Sequence, residues 1–382
     1  MEEKNNTSIQ DNKLYGNYSM GGGGFSSNID NVFNNIADYE MIESYKTSMR
    51  RDIQRAGIPL NDFRNFKVLD VGTGRQSIAF HLLGAENVCH YDISPHNVER
   101  MNQFIVSNSL QDKIATECVD LVQYVPPKSN FDLVYLHGIV QHFSHTGVGL
   151  RNCMQAVKQG GYLWLYFYRS GTFQKFVMYF LRDLLTSQAA IDHREYFINS
   201  IILYSDDCNP NYFASGLMDL LFAAYVHLYT PKSYLSFVRN CGFEVTFSSK
   251  LDLPGSEVDH KYAHESVVLV CKKVAEKDLA QCDVEILSPE KSINQLDPQI
   301  YSDDKDNEIL QTINEYNILK KTLCSNIPKS FIMTIILKIF NFSQTQHGVR
   351  DINIAESDKH HRDFQLIFKN LRELIKNEYL IS

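Results

Sequence analysis

Lys67-Val68-Leu69-Asp70-Val71-Gly72-Thr73-Gly74-Arg75-Gln76-Ser77 is an apolar run that meets a glycine pair and continues in a helix-like pattern. Val68 to Val71 suit a buried parallel strand, bounded at its end by a tight turn. Gly72 and Gly74 would let the backbone approach a ligand closely. In a dinucleotide site a third glycine follows three residues after the second, letting the helix pack on the strand while its N-terminus receives a pyrophosphate. Here that position is Ser77. A glycine turn with a carboxylate at the strand end, Asp70, suits a ligand carrying positive charge and amine groups. A glycine pair also serves plain structural turns, so the motifs downstream decide.

Asn87-Val88-Cys89-His90-Tyr91-Asp92-Ile93-Ser94 reads as a second strand, with Ser94-Pro95 opening a helix. Asp92 follows Gly72 at about the twenty-residue separation at which an acidic side chain receives ribose hydroxyls in a βαβ unit. Ala115 to Val119 reads as a third strand, followed by Asp120-Leu121, where Asp120 meets an adenine amino group or simply caps a turn. Phe131 to Leu136 is a fourth strand running into His137-Gly138-Ile139-Val140-Gln141-His142-Phe143. Val148 to Lys158 reads as a helix closed by Gly160-Gly161, and Tyr162 to Tyr168 as the fifth strand.

The order of these motifs resembles the class I S-adenosylmethionine-dependent methyltransferases, most closely the small-molecule branch related to ubiquinone and menaquinone biosynthesis. The resemblance rests on VLDVGTG at 68–74, YDIS at 91–94, VDL at 119–121, FDLVYLHGIVQHF at 131–143 and VKQGGYLWL at 157–165. It implies that Asp70, Gly72 and Gly74 line the methionine end of S-adenosylmethionine, Asp92 the ribose, Ile93 and Leu121 the adenine faces and Asp120 the adenine edge. His137 falls where the family often has a Ser, Asn or Cys backbone contact, and Gln141-His142 matches a dipeptide that is often His-His.

The family fold is a Rossmann-like α/β sheet of seven strands, parallel except for a terminal antiparallel hairpin and flanked by helices. Gly242 to Phe247 and Ser266 to Cys271 read as that hairpin, with a helix from Pro231 to Asn240 before it. An interruption, residues 170–230, separates the fifth strand from that helix. Its segments 172–186, 191–204 and 215–228 have helical lengths and many aromatics. Such an insert sits over the crevice at the carboxyl ends of the strands, as a lid that builds the acceptor pocket. For most of its aromatics a satellite core or dimer contact is the better reading. The ends of the insert, Tyr168, Tyr225, His227 and Tyr229, must return near the strand termini.

Methyl transfer asks little of a protein beyond holding the nucleophile in line and excluding water, with an optional base. The candidates are His142 and His227 as proton acceptors and Tyr225 as a hydrogen-bonding orienter, a structural histidine being the alternative for His227. No Asn/Asp-Pro-Pro-aromatic motif or Pro-Cys nucleophile follows the fourth strand, as base methylation would ask. The net charge of −8 disfavours a nucleic-acid partner. A small molecule or peptide acceptor, methylated on oxygen or nitrogen, is expected.

With 382 residues at 44% hydrophobic content, the chain can bury one large core and add a smaller domain. Its eight cysteines form no Cys-x-x-Cys pair, so reduced thiols, no metal and a cytoplasmic setting are expected. His360-His361 reads as solvated, and Phe331 to Phe342 as an amphipathic helix, too short to span a bilayer. The expected organisation is a tail with a Gly21–Gly24 loop at 1–37, in which Tyr15, Tyr18 or Phe25 could close over the cofactor. A methyltransferase domain follows at 38–275, led by a helix from Ile36 to Ala56, then a linker at 276–307. The helical extension at 308–382 has patterns at 308–324, 329–341 and 357–379, and it or the insert could form a homodimer. Two rival readings stay open: a catalytically inactive binding module of the same fold, and a protein or RNA methyltransferase.

Overall fold

Seven strands form one sheet: β1 (Lys67–Val71), β2 (Asn87–Asp92), β3 (Ile114–Cys118), β4 (Phe131–His137), β5 (Val157–Tyr168), β6 (Phe243–Ser248) and β7 (Ser266–Lys273). Their order is β3-β2-β1-β4-β5-β7-β6. β1 to β5 are parallel, and β7 runs antiparallel to both β5 and β6. This is the Rossmann-like sheet with a terminal hairpin expected from the strand motifs. The computed structural model describes residues 39–170, 223, 225–248 and 266–292. They belong to one compact unit.

Period-two alternation divides the core. Val68, Val88, Leu133 and Val270 pack under helices α1 (Tyr39–Arg55), α2 (Arg75–Leu82) and α3 (Pro95–Ser107), through Ile53, Phe80 and Met101. Leu69, Val71, Leu136 and Phe167 pack on the opposite face under α4 (Thr146–Gln155) and α5 (Pro231–Asn240), through Leu150 and Phe237. Each fully buried aliphatic or aromatic side chain contributes about 1.5–3 kcal/mol. β1 pairs with β2 on one side and β4 on the other, so the strand order reverses there. Ligand crevices of open α/β sheets lie outside the carboxyl ends of the strands at such a reversal.

Three expectations need correction. The glycines at 160 and 161 do not end a helix: α4 stops at Gln155, and β5 begins at Val157. The β4–β5 register passes from Phe131↔Val157 to Leu133↔Tyr162, so Lys158 to Gly161 loop out of the ladder, with Gly160 at φ 76°. Residues 225–228 are not helical as the 215–228 pattern suggested, because their backbone is committed elsewhere. His227 N–H donates to the Gln141 carbonyl at 2.8 Å and Leu228 N–H to Ser292 Oγ at 2.9 Å.

The expected linker at 276–307 is, through residue 292, part of the core. It forms 3-10 turns at Leu279–Gln281, Val284–Leu287 and Pro289–Lys291, with Leu279 and Leu287 buried. Its aspartates Asp278 and Asp283 cap turns rather than solvating a linker. Asp278 accepts from Ala280 N–H and Asp283 from Glu285 N–H, each at 3.1 Å. The buried Tyr229 hydroxyl is within hydrogen-bond distance of the Leu287 and Ser288 carbonyls, at 2.9 and 3.0 Å.

The glycine loop at 21–24 with Tyr15, Tyr18 and Phe25, the insert from 171 to 222, the patterns at 308–324, 329–341 and 357–379, Phe331 to Phe342 and His360-His361 lie outside the described residues. Among the described residues no helix is long and apolar enough to cross a membrane.

The strap at 278–292 presses on α4 where Gly147 sits: a methyl added there would collide with the Val284 carbonyl. Gly147→Ala should therefore destabilise the chain by about 1–3 kcal/mol, the usual cost of overpacking. Urea unfolding checks this, and unchanged stability would show that the strap is not seated on α4.

Candidate functional site

A pocket opens at the carboxyl ends of the central strands. It is lined by Val71 and Gly72 at the end of β1, Asp92, Ile93, Ser94 and Asn97 at and beyond the end of β2, and Val119, Asp120 and Leu121 after β3. Ile139, His142, Phe143 and Ser144 after β4 and Tyr225 complete the wall. The structure thus brings together Gly72, Asp92, Ile93, Asp120, Leu121, His142 and Tyr225 of the residues expected from sequence. Asp70, Gly74, His137 and His227 are not among the lining residues.

The turn after β1 uses its glycines sterically. Gly72 has φ 136°, and a Cβ there would stand 3.2 Å from Ile139 Cδ1, inside the pocket wall. Gly74, with φ 88°, is the N-cap of α2. Directly behind this turn Asp70 is 1% exposed, and its Oδ2 accepts the Ser77 hydroxyl at 2.6 Å. Burial pushes the Asp70 carboxyl up to about 7, against the pull of the Ser77 hydrogen bonds and more weakly of Arg75.

Asp92 is held by its own helix. Ser94, the N-cap of α3, donates its backbone N–H to Asp92 Oδ1 at 2.7 Å, and Asn97 Nδ2 donates to Oδ2 at 2.9 Å. Burial raises this carboxyl to about 6, while Asn97 and the Ser94 backbone pull it down. Each oxygen has a second lone pair for a donor such as a ribose hydroxyl. Asp120 serves the turn it was also expected to cap, accepting Val122 N–H on Oδ1 at 2.9 Å while lining the pocket. Buried Asn152 fixes the next carbonyl, donating to Leu121 at 2.9 Å.

His142 stands in a 3-10 turn, Val140–His142, and its Nδ1 lies 2.9 Å from the Tyr225 carbonyl. A carbonyl only accepts, so Nδ1 carries the proton and Nε2 is the acceptor nitrogen of the neutral ring. Tyr168 meets the His142 ring edge-on at 6.5 Å. His227 holds its place through backbone contact with Gln141 and by stacking on Tyr225 at 5.9 Å between ring centroids. His137 enters an aromatic stack with Tyr166, 4.3 Å away and nearly parallel, and its Nδ1 is 3.0 Å from the Tyr135 hydroxyl. Burial lowers it to about 4.

Residues 69–165 match the family model of a methyltransferase domain. The matched stretch runs from β1 into β5 and contains every pocket residue except Tyr225. Among solved structures, an S-adenosylmethionine-dependent methyltransferase from Mesorhizobium loti is 15% identical, with 57% of this chain and 94% of that one covered at a TM-score of 0.37. A 1,6-didemethyltoxoflavin-N1-methyltransferase from Burkholderia thailandensis, solved with 1,6-didemethyltoxoflavin and S-adenosylhomocysteine, is 12% identical, with 65% and 88% covered at a TM-score of 0.36. The cyclase SpnF is 14% identical, with 56% and 76% covered at a TM-score of 0.37. No curated protein matches the chain.

The residues fit S-adenosylmethionine. The cradle that a Cβ at Gly72 would fill admits close approach, and the buried Asp92 carboxylate lining the pocket suits a hydroxyl-bearing group. The methyltransferase match and this donor set agree on S-adenosylmethionine as the cofactor. Sequence reasoning missed Ser77 and Asn97 as partners of the carboxylates, and Ile139 and Phe143 as walls. Asn97 carried a signal, because the third residue after the N-cap Ser94 is placed to reach back.

Asp70 yields a test of sign. Its folded value near 7 exceeds the ordinary 3.8, so the stability tied to its proton is complete below about 4 and lost as pH rises through about 7. Asp70→Asn should be stabilised relative to the unaltered ligand-free chain, with a margin that widens between pH 5 and pH 7.5. Denaturant titrations at both pH values check this, and a pH-independent margin would refute it.

Proposed function

We propose that the chain transfers a methyl group from S-adenosylmethionine to an oxygen or nitrogen of a small molecule or peptide, with His142 as general base. The carrying observation is the Nδ1–H of His142 donated to the Tyr225 carbonyl, which turns Nε2 into the proton-accepting atom of a residue that lines the pocket. The same reading keeps the chain in the small-molecule branch and in a cytoplasmic setting.

Gly72, Asp92, Ile93, Asp120 and Leu121 would hold the cofactor, with Asp70 and Gly74 shaping the turn behind it. When bound, S-adenosylmethionine supplies a methyl group already activated by its sulfonium. The protein's part is then positioning, dryness and a place for one proton. Ile139 and Phe143 give apolar walls that exclude water. His142 Nε2 takes the proton of the acceptor's hydroxyl or ammonium group as its nucleophilicity develops, and the Tyr225 carbonyl holds the resulting imidazolium through Nδ1. Tyr168 meets the His142 ring edge-on, and Tyr225 presents the orienting carbonyl. His227 supports this arrangement through Gln141 rather than as a second base.

Incubation of the chain with a labelled methyl donor and host extract should place label in small molecules or peptides. Label in large protein or RNA would favour the rival reading, and no transfer despite S-adenosylhomocysteine binding would favour an inactive module. With an acceptor in hand, His142→Gln should lower kcat by about 10²- to 10⁴-fold, the usual contribution of a general base, at unchanged S-adenosylhomocysteine affinity. An unaltered kcat would remove the base assignment.

A further inference from the structure

The register of the sheet sets three polar side chains in a row under the glycine turn. Asp70 of β1 pairs with His90 of β2, and His90 pairs with Thr116 of β3. In-register neighbours of parallel strands point to one face, so all three lie on the α2 side of the sheet. Asp70 is engaged by Ser77, but no step of methyl transfer uses His90. An imidazole with no exposed surface in the middle of a sheet requires a reason.

Its contacts supply one. His90 Nδ1 lies 2.7 Å from Thr116 Oγ1, and His90 Nε2 is hydrogen-bonded to the Gly72 carbonyl. That carbonyl can only accept, so the proton sits on Nε2. Burial holds the ring neutral, lowered to about 4, so Nδ1 is the acceptor and the Thr116 hydroxyl donates to it. The result is a directed chain from the Thr116 hydroxyl through the imidazole to the Gly72 carbonyl.

Gly72 is thereby tied from both ends of its own residue. Its N–H donates to the Tyr91 carbonyl at 3.0 Å, and its carbonyl accepts from His90. The two bonds fix the orientations of the peptide groups on either side of a residue at φ 136°, where glycine has wide freedom. The ring also sets the space under the next glycine. A Cβ at Gly74 would stand 3.5 Å from His90 Nε2 and 3.1 Å from Met101 Sδ.

We infer that His90 is a positioning residue, whose Nε2–H, set by Thr116, holds the Gly72 turn in the conformation that receives the cofactor. This rests on the reading of the pocket as an S-adenosylmethionine site. The physical effect is preorganisation: without the bond the turn populates other conformations, and the affinity falls by the fraction of time it spends in the competent one.

Two isosteric amides separate the two ring nitrogens. In His90→Gln the terminal amide nitrogen can occupy the place of Nε2 and keep the donor to Gly72. In His90→Asn the amide reaches only the place of Nδ1, and the turn is released. Titration calorimetry with S-adenosylhomocysteine should give His90→Gln an affinity within about threefold of the unaltered chain. It should give His90→Asn a loss of about tenfold or more, of the order of one net hydrogen bond. Melting temperatures of the two amide variants control for folding, since both lose the ring. Thr116→Val, which keeps the imidazole, should fall between them and serves if His90→Asn does not fold.

A second measurement uses no ligand. Nitrogen-15 spectra of the ligand-free chain, with His90 assigned by its absence in His90→Gln, should show the neutral Nε2–H tautomer unchanged from pH 6 to pH 8. Titration of His90 near pH 6.5, or an Nδ1–H tautomer, would overturn the inference. So would equal affinities for His90→Asn and His90→Gln. No binding of S-adenosylhomocysteine by the unaltered chain would instead overturn the cofactor reading, a distinct result.

Discussion

A carboxylate taken out of water opposes its own ionisation, and this chain buries two of them, on neighbouring strands. Asp70 and Asp92 are both nearly inaccessible, and the charge of Asp92 is one of the forces pushing Asp70 upward. What partly offsets the cost is hydrogen bonding, from Ser77 to one and from Ser94 and Asn97 to the other. The remaining deficit is best relieved by a ligand that brings hydroxyl donors and positive charge. The surrounding structure follows from this demand. A strand must end under each carboxylate, a helix must start beside it to offer donors, and the turn between must lack side chains. The sheet reversal at β1 meets all three conditions at once.

This dependence explains why the nucleotide half of the fold was readable from sequence. Strand, carboxylate, glycine and helix start are local features, separated by a few residues and repeated after β2 with Ser94-Pro95 in place of the glycines. Ser77 is instructive. Its hydroxyl argued against a dinucleotide by occupying the place of a third glycine. In the folded chain the same hydroxyl is the hydrogen-bond donor to Asp70, so the departure from one motif is a component of another.

What stayed illegible is non-local. His142 and Tyr225 are 83 residues apart, and nothing in either neighbourhood says that a carbonyl of one will select the tautomer of the other. The strap at 278–292 falls within the expected linker at 276–307 because caps and linkers draw on the same residue types. Asp, Ser and Pro satisfy a 3-10 turn as readily as they solvate a tether. Only burial of Leu279 and Leu287, and the reach of the Tyr229 hydroxyl to Leu287 and Ser288, distinguishes them.

The strap and His142, the proposed base, are mechanically linked. The Tyr225 carbonyl orients His142 only if residues 225–229 keep their line along the 3-10 turn at Val140–His142. That line is anchored at several points: His227 N–H on Gln141, Leu228 N–H on Ser292 and the Tyr229 hydroxyl on Leu287 and Ser288. Two of these anchors lie on the strap, which in turn seats against α4 at Gly147. The end of the pocket at Gly72 and Asp92 is therefore set by the local chemistry of β1 and β2. The end at His142 and Tyr225 depends on contacts between segments distant in the chain. Substitutions in the strap should move His142 without moving the carboxylates, which under the proposed roles separates control of catalysis from control of cofactor binding within one sheet.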